Sequence, residues 1–573
     1  MGNRAVAELI LCLLFVSILT FAYHVQPVDA WTGTVHIRAD GTVDPVSAPV
    51  QRNGNVYTLT GNITTGGGDG IIIERNNITL DGARNVVRGT SAYGFGVYLL
   101  DRSNVTVKNL DITSFFYGIY LEVSSNNKVL SNRLTNNMHG LMICCLSNDN
   151  TVTGNNMTSN YSGIYISSSE GNVLRSNRIM GSVYGFGVDS YLLALLINDV
   201  DASNTVDGKP IYYWVNKHDM IVPPDAGYVG LINCTRIVAQ NLTLTHVGEG
   251  VFLAHTSNST VTGNMITNDF YGVLLIIASS NNTIGENTIT ANEFGLLLYN
   301  SSGHNSIRGN SIAHNYYGVW FDTSSTNKFY HNSFNYNGLQ VYDCSKDYPQ
   351  VPPSINTWDD GYPSGGNYWS DYIGQDLYNG PNQNLPGSDG IGDTPYVLDS
   401  NNRDHYPIMI HSIAVVAIAL SRTTARVGRT VTVNVTVENQ GSYAESVNIT
   451  LYANTTTIGT RFNIAINRRE AKTISFTWNT TGFSDGRYTI KAVASPVQNE
   501  ANTADNTLNA GPVLVINPDV TGDHRVNVLD LIKTSTSLGT HPGDPKWYSN
   551  ADVNNDNLIN VLDLILVANN LDS

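Results

Sequence analysis

The stretches NRLTNNMHGLMI (residues 132–143) and NNMTSNYSGIYI (residues 155–166) repeat one pattern 23 residues apart. Each begins with Asn, passes through a turn rich in Asn, Ser or Thr, and ends in a glycine-led apolar run. The glycine-led run recurs in two series, and the steps within each series are 22 or 23 residues. The glycines are Gly118, Gly140 and Gly163, then Gly250, Gly272, Gly295 and Gly318, and Gly96 and Gly185 fit the spacing of the first series. A repeat this short predicts stacked coils.

An asparagine before each turn-and-strand segment keeps the same period. These residues are Asn109, Asn132, Asn155, Asn177, Asn241, Asn264, Asn287, Asn310 and Asn332. The period is typical of one coil of a parallel β-helix, in which each coil buries its inward side chains on its neighbours. Asn at a fixed place in successive coils predicts a buried amide ladder, so we assign all nine to structure, including Asn241, which also lies in a glycosylation sequon.

Side chains after each glycine are expected to alternate between the two faces of the strand. The first and third positions are predicted to point inward, as at Ile119 and Leu121, Ile164 and Ile166, Val273 and Leu275, and Val319 and Phe321. The second position is predicted to point outward, where an apolar stripe needs an explanation. One interpretation is a platform for stacking sugar rings, formed by Tyr98, Tyr120, Tyr165, Phe252 and Trp320. The alternative is a face covered by a loop or by the C-terminal segment.

The N-terminus and the composition indicate an exported protein. Residues 1–30 carry Arg4, an apolar run and a small-residue pattern ending at Ala30, as a cleavable secretory signal does. No later run is long enough to span a membrane. The net charge of −16 disfavours nucleic acid as a partner and favours cations. Sequons such as Asn62, Asn258 and Asn448 would allow glycosylation after export.

Residues 31–410 resemble the NosD-type (CASH) family of right-handed parallel β-helices. The specific segments are DGKPIYYWVN (207–216), NTWDDGYPSGGNYWSDY (356–372) and GSDGIGDTPY (387–396). Among the cap carboxylates Asp359, Asp360, Asp371, Asp389 and Asp393, turn capping is favoured over calcium binding. The resemblance implies carbohydrate binding, or copper handling by an accessory protein.

Copper would require soft ligands, which MHGLMICC (138–145) contains. Strand alternation places Met142 and Cys144 on one face and Cys145 on the other. Met and free Cys are also ordinary core residues, and the sequence offers no second cluster, so we favour packing over copper. Catalysis on a glycan, as a glycoside hydrolase or polysaccharide lyase, is the other alternative, with no catalytic residue located. It needs clustered acids, whereas Glu122, Asp269, Glu293 and Asp322 are scattered.

Two different modules follow the solenoid. From about Ile413, alternating segments such as TVTVNVTVENQG predict a β-sandwich that resembles the CARDB immunoglobulin-like module, a spacer. The tail then contains DVTGDHRVNVLD (519–530) and DVNNDNLINVLD (552–563). Oxygen donors at loop positions 1, 3, 5, 7, 9 and 12 are those of an EF-hand-type calcium site. The pair resembles a type I dockerin over residues 518–573.

The predicted calcium ligands are matched between the loops. They are Asp519, Thr521, Asp523, Asn527 and Asp530 with the carbonyl of Arg525, and Asp552, Asn554, Asp556, Asn560 and Asp563 with the carbonyl of Leu558. The first site is expected to be the weaker, because Thr521 is a poorer ligand than Asn and His524 replaces the usual glycine. The apolar pairs Val528–Leu529 and Val561–Leu562 are expected to dock on a cohesin-like module or on the protein's own surface.

The sequence thus predicts a mainly β protein with a right-handed parallel β-helix, a β-sandwich and a small α-helical dockerin with paired EF-hand-like calcium loops. The predicted boundaries are a signal peptide at 1–30, the β-helix at 31–345, its C-terminal cap at 346–411, the sandwich at 412–516 and the dockerin at 517–573. We expect a secreted or cell-surface, calcium-binding protein that binds or processes a polysaccharide or surface glycan.

Overall fold

The computed structural model describes residues 30–90, 93–498, 500 and 502–572. The predicted signal therefore lies outside the described residues, apart from Ala30. Within them the chain divides into two compact units: one comprises the residues up to Lys328 with Asn337–Asn356, and the other comprises Phe329–Tyr336 with the residues from Thr357 onward. The predicted fold class is confirmed, with 46% strand, 5% helix and a solenoid of about 13 turns.

The first unit is a parallel β-solenoid whose coils stack strand on strand. One long sheet follows all its turns, with strands Trp31–Thr32, Ile63–Thr64, Val86–Arg88, Asp111–Thr113, Arg133–Thr135, Asn156–Thr158, Arg178–Met180, Thr205–Val206, Lys209–Val215, Tyr228–Ile232, Glu249–Ala254, Tyr271–Ile276, Phe294–Tyr299, Tyr317–Asp322 and Leu339–Asp343. Successive strands pair in parallel except for the hairpin of Thr205–Val206 with Lys209–Val215.

Two eight-stranded sheets complete the N-terminal coils. The first contains Val43–Asp44, Val35–Ile37, Ile71–Ile73, Phe95–Leu100, Tyr117–Glu122, His139–Cys144, Ser162–Ser167 and Tyr184–Asp189. The second contains Val50–Asn53, Val56–Leu59, Thr79–Asp81, Thr106–Lys108, Lys128–Leu130, Thr151–Thr153, Val173–Arg175 and Asp199–Val200. In the later coils the corresponding strands are His218–Ile221, Thr235–Gln240, Thr260–Thr262, Thr283–Gly285 and Ser306–Arg308, and Thr243–Thr245, Met265–Thr267, Thr288–Thr290 and Ser311–Ala313.

The inward positions form the core as predicted. Ile119, Leu121, Ile164, Ile166, Val273, Leu275 and Val319 are fully buried, and Phe321 is nearly so. The register explains this burial: Ile119 lies opposite Leu141 and Leu121 opposite Ile143, so identical positions of successive coils pack on one another.

The predicted asparagine ladder is present. The amide of Asn132 donates to Asn155, Asn155 to Asn177 and Asn264 to Asn287, at 2.9–3.0 Å. Two further ladders, which the sequence analysis did not identify, include Asn150 with Asn172 and Asn292 with Asn315. Each buried side-chain amide thus forms a hydrogen bond with the asparagine of the next coil.

The assignment of Asn109 and Asn241 to the ladder is wrong. Both have a positive φ of 55° at the preceding turn, and Asn241 is exposed. The ladder place in those coils is occupied by Leu110 and Leu242, whose backbone N–H groups donate to Asn132 and Asn264. A one-residue shift moves a side chain to the other face, and the 22-residue period alone cannot detect it.

The glycine-led strands change sheet in the middle of the solenoid. Before Ser190 they belong to the first eight-stranded sheet, which ends at Tyr184–Asp189; from Glu249 they belong to the long sheet. The chain at His246–Gly248 lies beside the end of the earlier sheet, where Gly185 N donates to the His246 carbonyl at 2.6 Å and Gly248 N to Phe186 at 2.8 Å. This junction interrupts the regular surface.

The second unit contains the cap from Thr357 onward, the sandwich and the tail. Buried Asp404 links two segments of the cap, because it accepts hydrogen bonds from Asn367 N and Trp369 Nε1. The cap carboxylates accept backbone N–H groups, as Asp359 does from Gly361 and Asp393 from Leu377. Short paired strands of this region are Tyr368–Trp369, Tyr378–Asn379, Leu385–Pro386, Tyr396–Val397 and Arg403–Asp404.

The sandwich has a three-stranded and a five-stranded sheet. The first contains Ile413–Leu420, Thr430–Asn439 and Ala471–Asn479; the second contains Thr424–Arg426, Thr507–Ile516, Gly486–Ala494, Glu445–Ala453 and Thr456–Ile466. Alternate residues fill its core, for example Val431, Val433 and Val435 around Trp478. The tail folds into helices α1 (Val528–Thr536) and α2 (Val561–Ala568). Within the described ranges there is no helix long and apolar enough to cross a membrane.

Candidate functional site

The five residues of the predicted carbohydrate platform do not form one continuous surface on the solenoid. Tyr98 and Tyr120 lie opposite each other on neighbouring strands, half-buried, with ring centroids 5.5 Å apart and planes within 8°. Phe95 and Tyr117 extend this stack. Because the rings stack on one another along the solenoid, each covers its neighbour's face.

Phe252 cannot belong to an exposed platform, because its side chain is fully buried. It lies in the apolar cluster that Leu193 and Ile197 pack against. These two residues belong to the segment after Tyr184–Asp189. The ring centroid of Tyr191, in the same segment, lies 5.3 Å from that of Tyr299. The burial of Phe252 favours the alternative interpretation, in which part of the stripe is covered.

Trp320 lies in the last coils, half-buried, among rings with mixed orientations. Its ring plane is 88° from that of Tyr317, with the ring centroids 4.6 Å apart. Its plane is tilted by 38° from that of Tyr342, with the centroids 4.3 Å apart. The parallel stack of the first coils is absent at this position. The ring of Trp320 is therefore not stacked in parallel on Tyr317 or Tyr342, unlike the rings of Tyr98 and Tyr120.

Tyr165 lies in a cleft of about 240 Å³ at the junction of the two sheets. The cleft is lined by His139, Tyr161, Ser162, Tyr165, Tyr184, Gly187, Gly248, Glu249, Phe270 and Tyr271. Gly187 occupies the outward position that carries an aromatic ring in neighbouring coils, and a Cβ there would lie 2.9 Å from Tyr165 Cδ2. The missing side chain leaves the space open. Gly187 within YGFGVD was the sequence signal for this site, which the sequence analysis missed.

Glu249 is a buried carboxyl group at this cleft. Its Oε2 accepts hydrogen bonds from Tyr228 Oη at 2.8 Å and from Val188 N at 3.3 Å, whereas its Oε1 makes none to the part of the chain that the structure describes. Burial raises the pKa of Glu249 to about 8, and the charge of Asp189 adds to the rise. The group is therefore held mostly as a neutral acid near pH 7.

Two further polar atoms at this junction are buried without a partner among the described residues, His139 Nδ1 and Asp189 Oδ1. Burial lowers the pKa of His139, so the ring is neutral, and burial raises the pKa of Asp189. Unpaired buried polar atoms are uncommon in native proteins and are typical of places where a ligand or water binds.

The expectation that Cys145 points away from Cys144 is wrong. Cys145 has a φ of 61°, at the end of the strand, and its Sγ lies 2.7 Å from Cys144 Sγ. The turn out of the strand rotates the second side chain back to the first. Tyr120 Oη lies 3.0 Å from Cys144 Sγ, and burial raises the pKa of that thiol to about 12.

Two of the acids considered for catalysis have structural partners. Glu122 accepts a hydrogen bond from Tyr98 Oη at 2.6 Å. Asp269 occupies a place in an asparagine ladder, where it accepts from Val247 N and its own N–H donates to Asn292. Neither arrangement is a pair of carboxyl groups facing a common space.

The two tail loops have the same hydrogen-bonding pattern. Asp519 at position 1 accepts from His524 N at 2.8 Å, and Asp552 accepts from Asn557 N at 2.9 Å. At position 12, Asp530 accepts from Thr521 N at 2.9 Å, and Asp563 accepts from Asn554 N. Position 12 also closes a capping box with the Asn at position 9 in both helices.

The donor chemistry of the loops fits calcium, since every side chain at positions 1, 3, 5, 9 and 12 offers oxygen. In the structure these carboxylates bond to backbone N–H groups of their own loops. Across the described ranges, no three His, Cys, Asp or Glu side chains are grouped closely enough to hold a metal ion. Position 6 is left-handed in both loops, with φ of 67° at His524 and 66° at Asn557.

The predicted docking pairs are exposed to the same extent in both halves of the tail. Val528 and Val561 are each 62% exposed, and Leu529 and Leu562 are each 54% exposed. Ile532 and Ile565 continue the two faces one turn further along the helices. The tail thus presents two equivalent apolar faces.

Three family models match successive parts of the chain. The model described as "Periplasmic copper-binding protein (NosD)" matches residues 37–221 and 226–374, which together are more than half of the chain. The CARDB model matches residues 414–510, and the model for the dockerin type I domain matches residues 517–572.

Individual proteins match over smaller parts. A 3-dehydroshikimate dehydratase of Acinetobacter baylyi is 29% identical over 129 residues, which are 21% of this chain and 26% of that enzyme's length. The CARDB domain of the PF1109 protein from Pyrococcus furiosus, solved with di-metal ions, is 23% identical over 19% of this chain and 96% of that chain, with a TM-score of 0.17. The catalytic domain of a GH87 α-1,3-glucanase in complex with nigerose is 14% identical over 59% of this chain and 64% of that chain, with a TM-score of 0.23.

Proposed function

The chain belongs to the NosD family, and we propose that it is an exported, calcium-binding surface protein whose β-helix binds carbohydrate and whose tail docks it to a partner protein. In this proposal the sandwich is a spacer. The partner is a cohesin-like module, and the glycan ligand links the protein to polysaccharide metabolism.

The duplicated tail carries the docking part of the proposal. Two loops with matched oxygen donors precede two helices with equally exposed apolar pairs. Calcium would be held by positions 1, 3, 5, 7, 9 and 12, as assigned above, and would replace the backbone hydrogen bonds of those carboxylates. Loop order and docking are therefore expected to depend on calcium together.

The docking test uses the symmetry of the two faces. Val528→Asp with Leu529→Asp changes one face, and Val561→Asp with Leu562→Asp changes the other. If either face can dock, each double variant retains binding to a cohesin domain in calorimetry with calcium, and the quadruple variant loses it. Binding that persists in EGTA would contradict the proposal. Failure of the wild type to bind any of a panel of cohesin domains would leave the protein's own surface as the docking site.

The carbohydrate part depends on half-buried aromatic rings on the solenoid, in particular Trp320 and the Tyr98–Tyr120 stack. The test is a glycan array with the full chain. Trp320→Ala is expected to reduce binding, whereas Tyr348→Ala, at an exposed tyrosine outside the platform, is the control. Release of reducing sugar from a bound polysaccharide would indicate that the β-helix cleaves glycans and does not only bind them. An array without any signal would contradict carbohydrate recognition.

Copper is a second candidate function, because the family description names it and the sulfurs of Cys144 and Cys145 lie 2.7 Å apart. Two thiolates on one side of a strand end suit Cu(I). Reconstitution with Cu(I) under a competing chelator tests this candidate. Retention that Cys144→Ser and Cys145→Ser both abolish supports it, and equal retention by the variants contradicts it.

A further inference from the structure

The cleft at the sheet junction has the composition of an aromatic box. Four of its rings follow one another with their planes turned through about a right angle. The ring centroids of Tyr161 and Tyr184 are 5.2 Å apart and their planes are 85° apart. The corresponding values are 5.5 Å and 81° for Tyr184 and Phe270, and 4.7 Å and 86° for Phe270 and Tyr271. Tyr165 adds a fifth ring beside Gly187. Perpendicular neighbours enclose a space on several sides, which a flat stack does not.

The polar groups of the cleft carry no positive charge. Its lining contains no Lys or Arg, and the only basic side chain in the lining, His139, is kept neutral by burial. Glu249 supplies a carboxyl group whose Oε1 is not paired with any residue that the structure describes. Half-buried Asp189 follows Val188, whose backbone N–H donates to Glu249 Oε2. Aromatic faces and a carboxylate both attract a cation, whereas few polar atoms are available to bond the hydroxyl groups of a sugar.

We propose that this cleft binds a trimethylammonium group, with the five rings around the methyl groups and Glu249 facing the charge. The volume of about 240 Å³ is below that of typical drug-sized sites, as a compact headgroup requires. A quaternary ammonium ion has no N–H to satisfy, so a mostly aromatic wall does not leave it unpaired. The net charge of −16 attracts such a ligand toward the protein.

Binding is coupled to the ionisation of Glu249. The buried acid is mostly neutral near pH 7, and a bound cation favours its charged form, so binding releases a proton. Affinity should therefore rise with pH up to about 8, by at most about tenfold per pH unit. The titratable groups that face Glu249 are Asp189, Tyr165, Tyr213, Tyr228, Asp269 and Tyr271. The pKa values of these tyrosines are raised, so the carboxyl groups of Glu249, Asp189 and Asp269, whose pKa values burial also raises, are the groups whose ionisation a bound cation can change.

The experiment is calorimetric titration of the full chain with choline chloride at constant ionic strength. The matched control ligand is 3,3-dimethylbutan-1-ol, which has the same shape without the charge. We expect saturable binding of choline that is at least about tenfold tighter than that of the alcohol. Glycine betaine and phosphatidylcholine vesicles then distinguish a free solute from a lipid headgroup as the source.

The variants separate the box from the rest of the solenoid. Tyr161→Ala removes a 44% exposed ring at the cleft and is expected to weaken choline binding about tenfold. Tyr316→Ala is the control, because Tyr316 is 52% exposed and holds the same place two residues before the repeat glycine in another coil. Glu249→Gln keeps the shape and should reduce the rise of affinity between pH 7 and pH 8, because Asp189 and Asp269 remain.

The proposal is overturned if choline does not bind, if the neutral alcohol binds equally well, or if methyl glucoside saturates the cleft in its place. It is also overturned if Tyr161→Ala and Tyr316→Ala have equal effects. The choline and Tyr161→Ala tests involve neither Trp320 nor the docking faces, so failure of this inference and failure of the proposed function can be distinguished. Methyl glucoside binding in the cleft would overturn this inference and leave glycan recognition standing.

Discussion

At the scale of single residues, Glu249 makes the stability of the solenoid depend on pH. Its pKa is about 8 in the folded protein, against an ordinary value of 4.5. Between these values the unfolded chain loses the proton while the folded protein keeps it, so stability falls as pH rises. The full effect above pH 8 is roughly 5 kcal/mol.

We therefore expect Glu249→Gln to become progressively more stable than the wild type between pH 5 and pH 8. Urea unfolding of both proteins across this range measures the difference. Other groups such as Asp404, whose pKa is raised to about 7, are present in both proteins and cancel. If the difference in unfolding free energy between the two proteins did not change with pH, the raised pKa of Glu249 would be contradicted.

His524 is the second residue with a specific prediction. Its φ of 67° is left-handed, which costs a residue with a Cβ about 1 kcal/mol or more, whereas glycine adopts it freely. His524→Gly is expected to tighten calcium binding by the first loop about fivefold or more. Asn557→Gly in the second loop is the matched control and should gain less, since Asn tolerates this conformation better. Calcium titration of each variant measures both effects.

At the scale of elements, the asparagine ladders connect one coil to the next. Asn155 accepts from both the backbone and the side chain of Asn132, and donates to Asn177 and to the Val129 carbonyl. Replacing it with Ala leaves several of these buried groups without a partner. The ladder is therefore expected to be more sensitive to substitution than the apolar surface beside it.

We predict that Asn155→Ala lowers the free energy of unfolding of the solenoid by about 3 kcal/mol or more. Asn156→Ala, at the exposed neighbouring residue, is the control and should change it by less than about 0.5 kcal/mol. Denaturant unfolding followed by far-ultraviolet circular dichroism compares them. Equal effects would mean that burial of the amide is unimportant.

Much of this element structure was predictable from the sequence, because the coil period fixes which side chains stack. The inward set from Ile119 to Phe321 follows from the period together with the alternation after each glycine, and the central ladder follows from the period except at Asn109 and Asn241. The change of sheet between Asp189 and Glu249 does not, because it arises from how the excursion after Ser190 packs. For the same reason the burial of Phe252 and the cleft around Tyr165 could not be predicted from a local pattern, since both depend on contacts between distant coils.

At the scale of the whole molecule, the tail is tied to the sandwich within the second unit. Arg426 donates to Asp572 at 2.6 Å, and Asp572 accepts from Val526 N, within the first loop. The ion pair lowers the pKa of Asp572. Because Asp572 and Val526 also pair through their backbones, order in the first loop is linked to this contact.

We predict that calcium raises the unfolding temperature of the sandwich in the wild type, and that Arg426→Ala removes most of this increase. Differential scanning calorimetry with calcium and with EGTA measures the coupling. Arg422→Ala, at a nearby exposed arginine, is the control. An equal calcium effect in both variants would show that the tail and the sandwich respond separately.

The space beside Tyr165 exists because residue 187 has only a hydrogen as its side chain. One base substitution converts any glycine codon into an alanine codon, and the added methyl group would fall 2.9 Å from the tyrosine ring. Natural variation can therefore close this opening in a single step, at the cost of a shift of the Tyr165 ring on the adjacent strand. Among homologous chains, the amino acid at this place should separate those that keep the opening from those that have lost it.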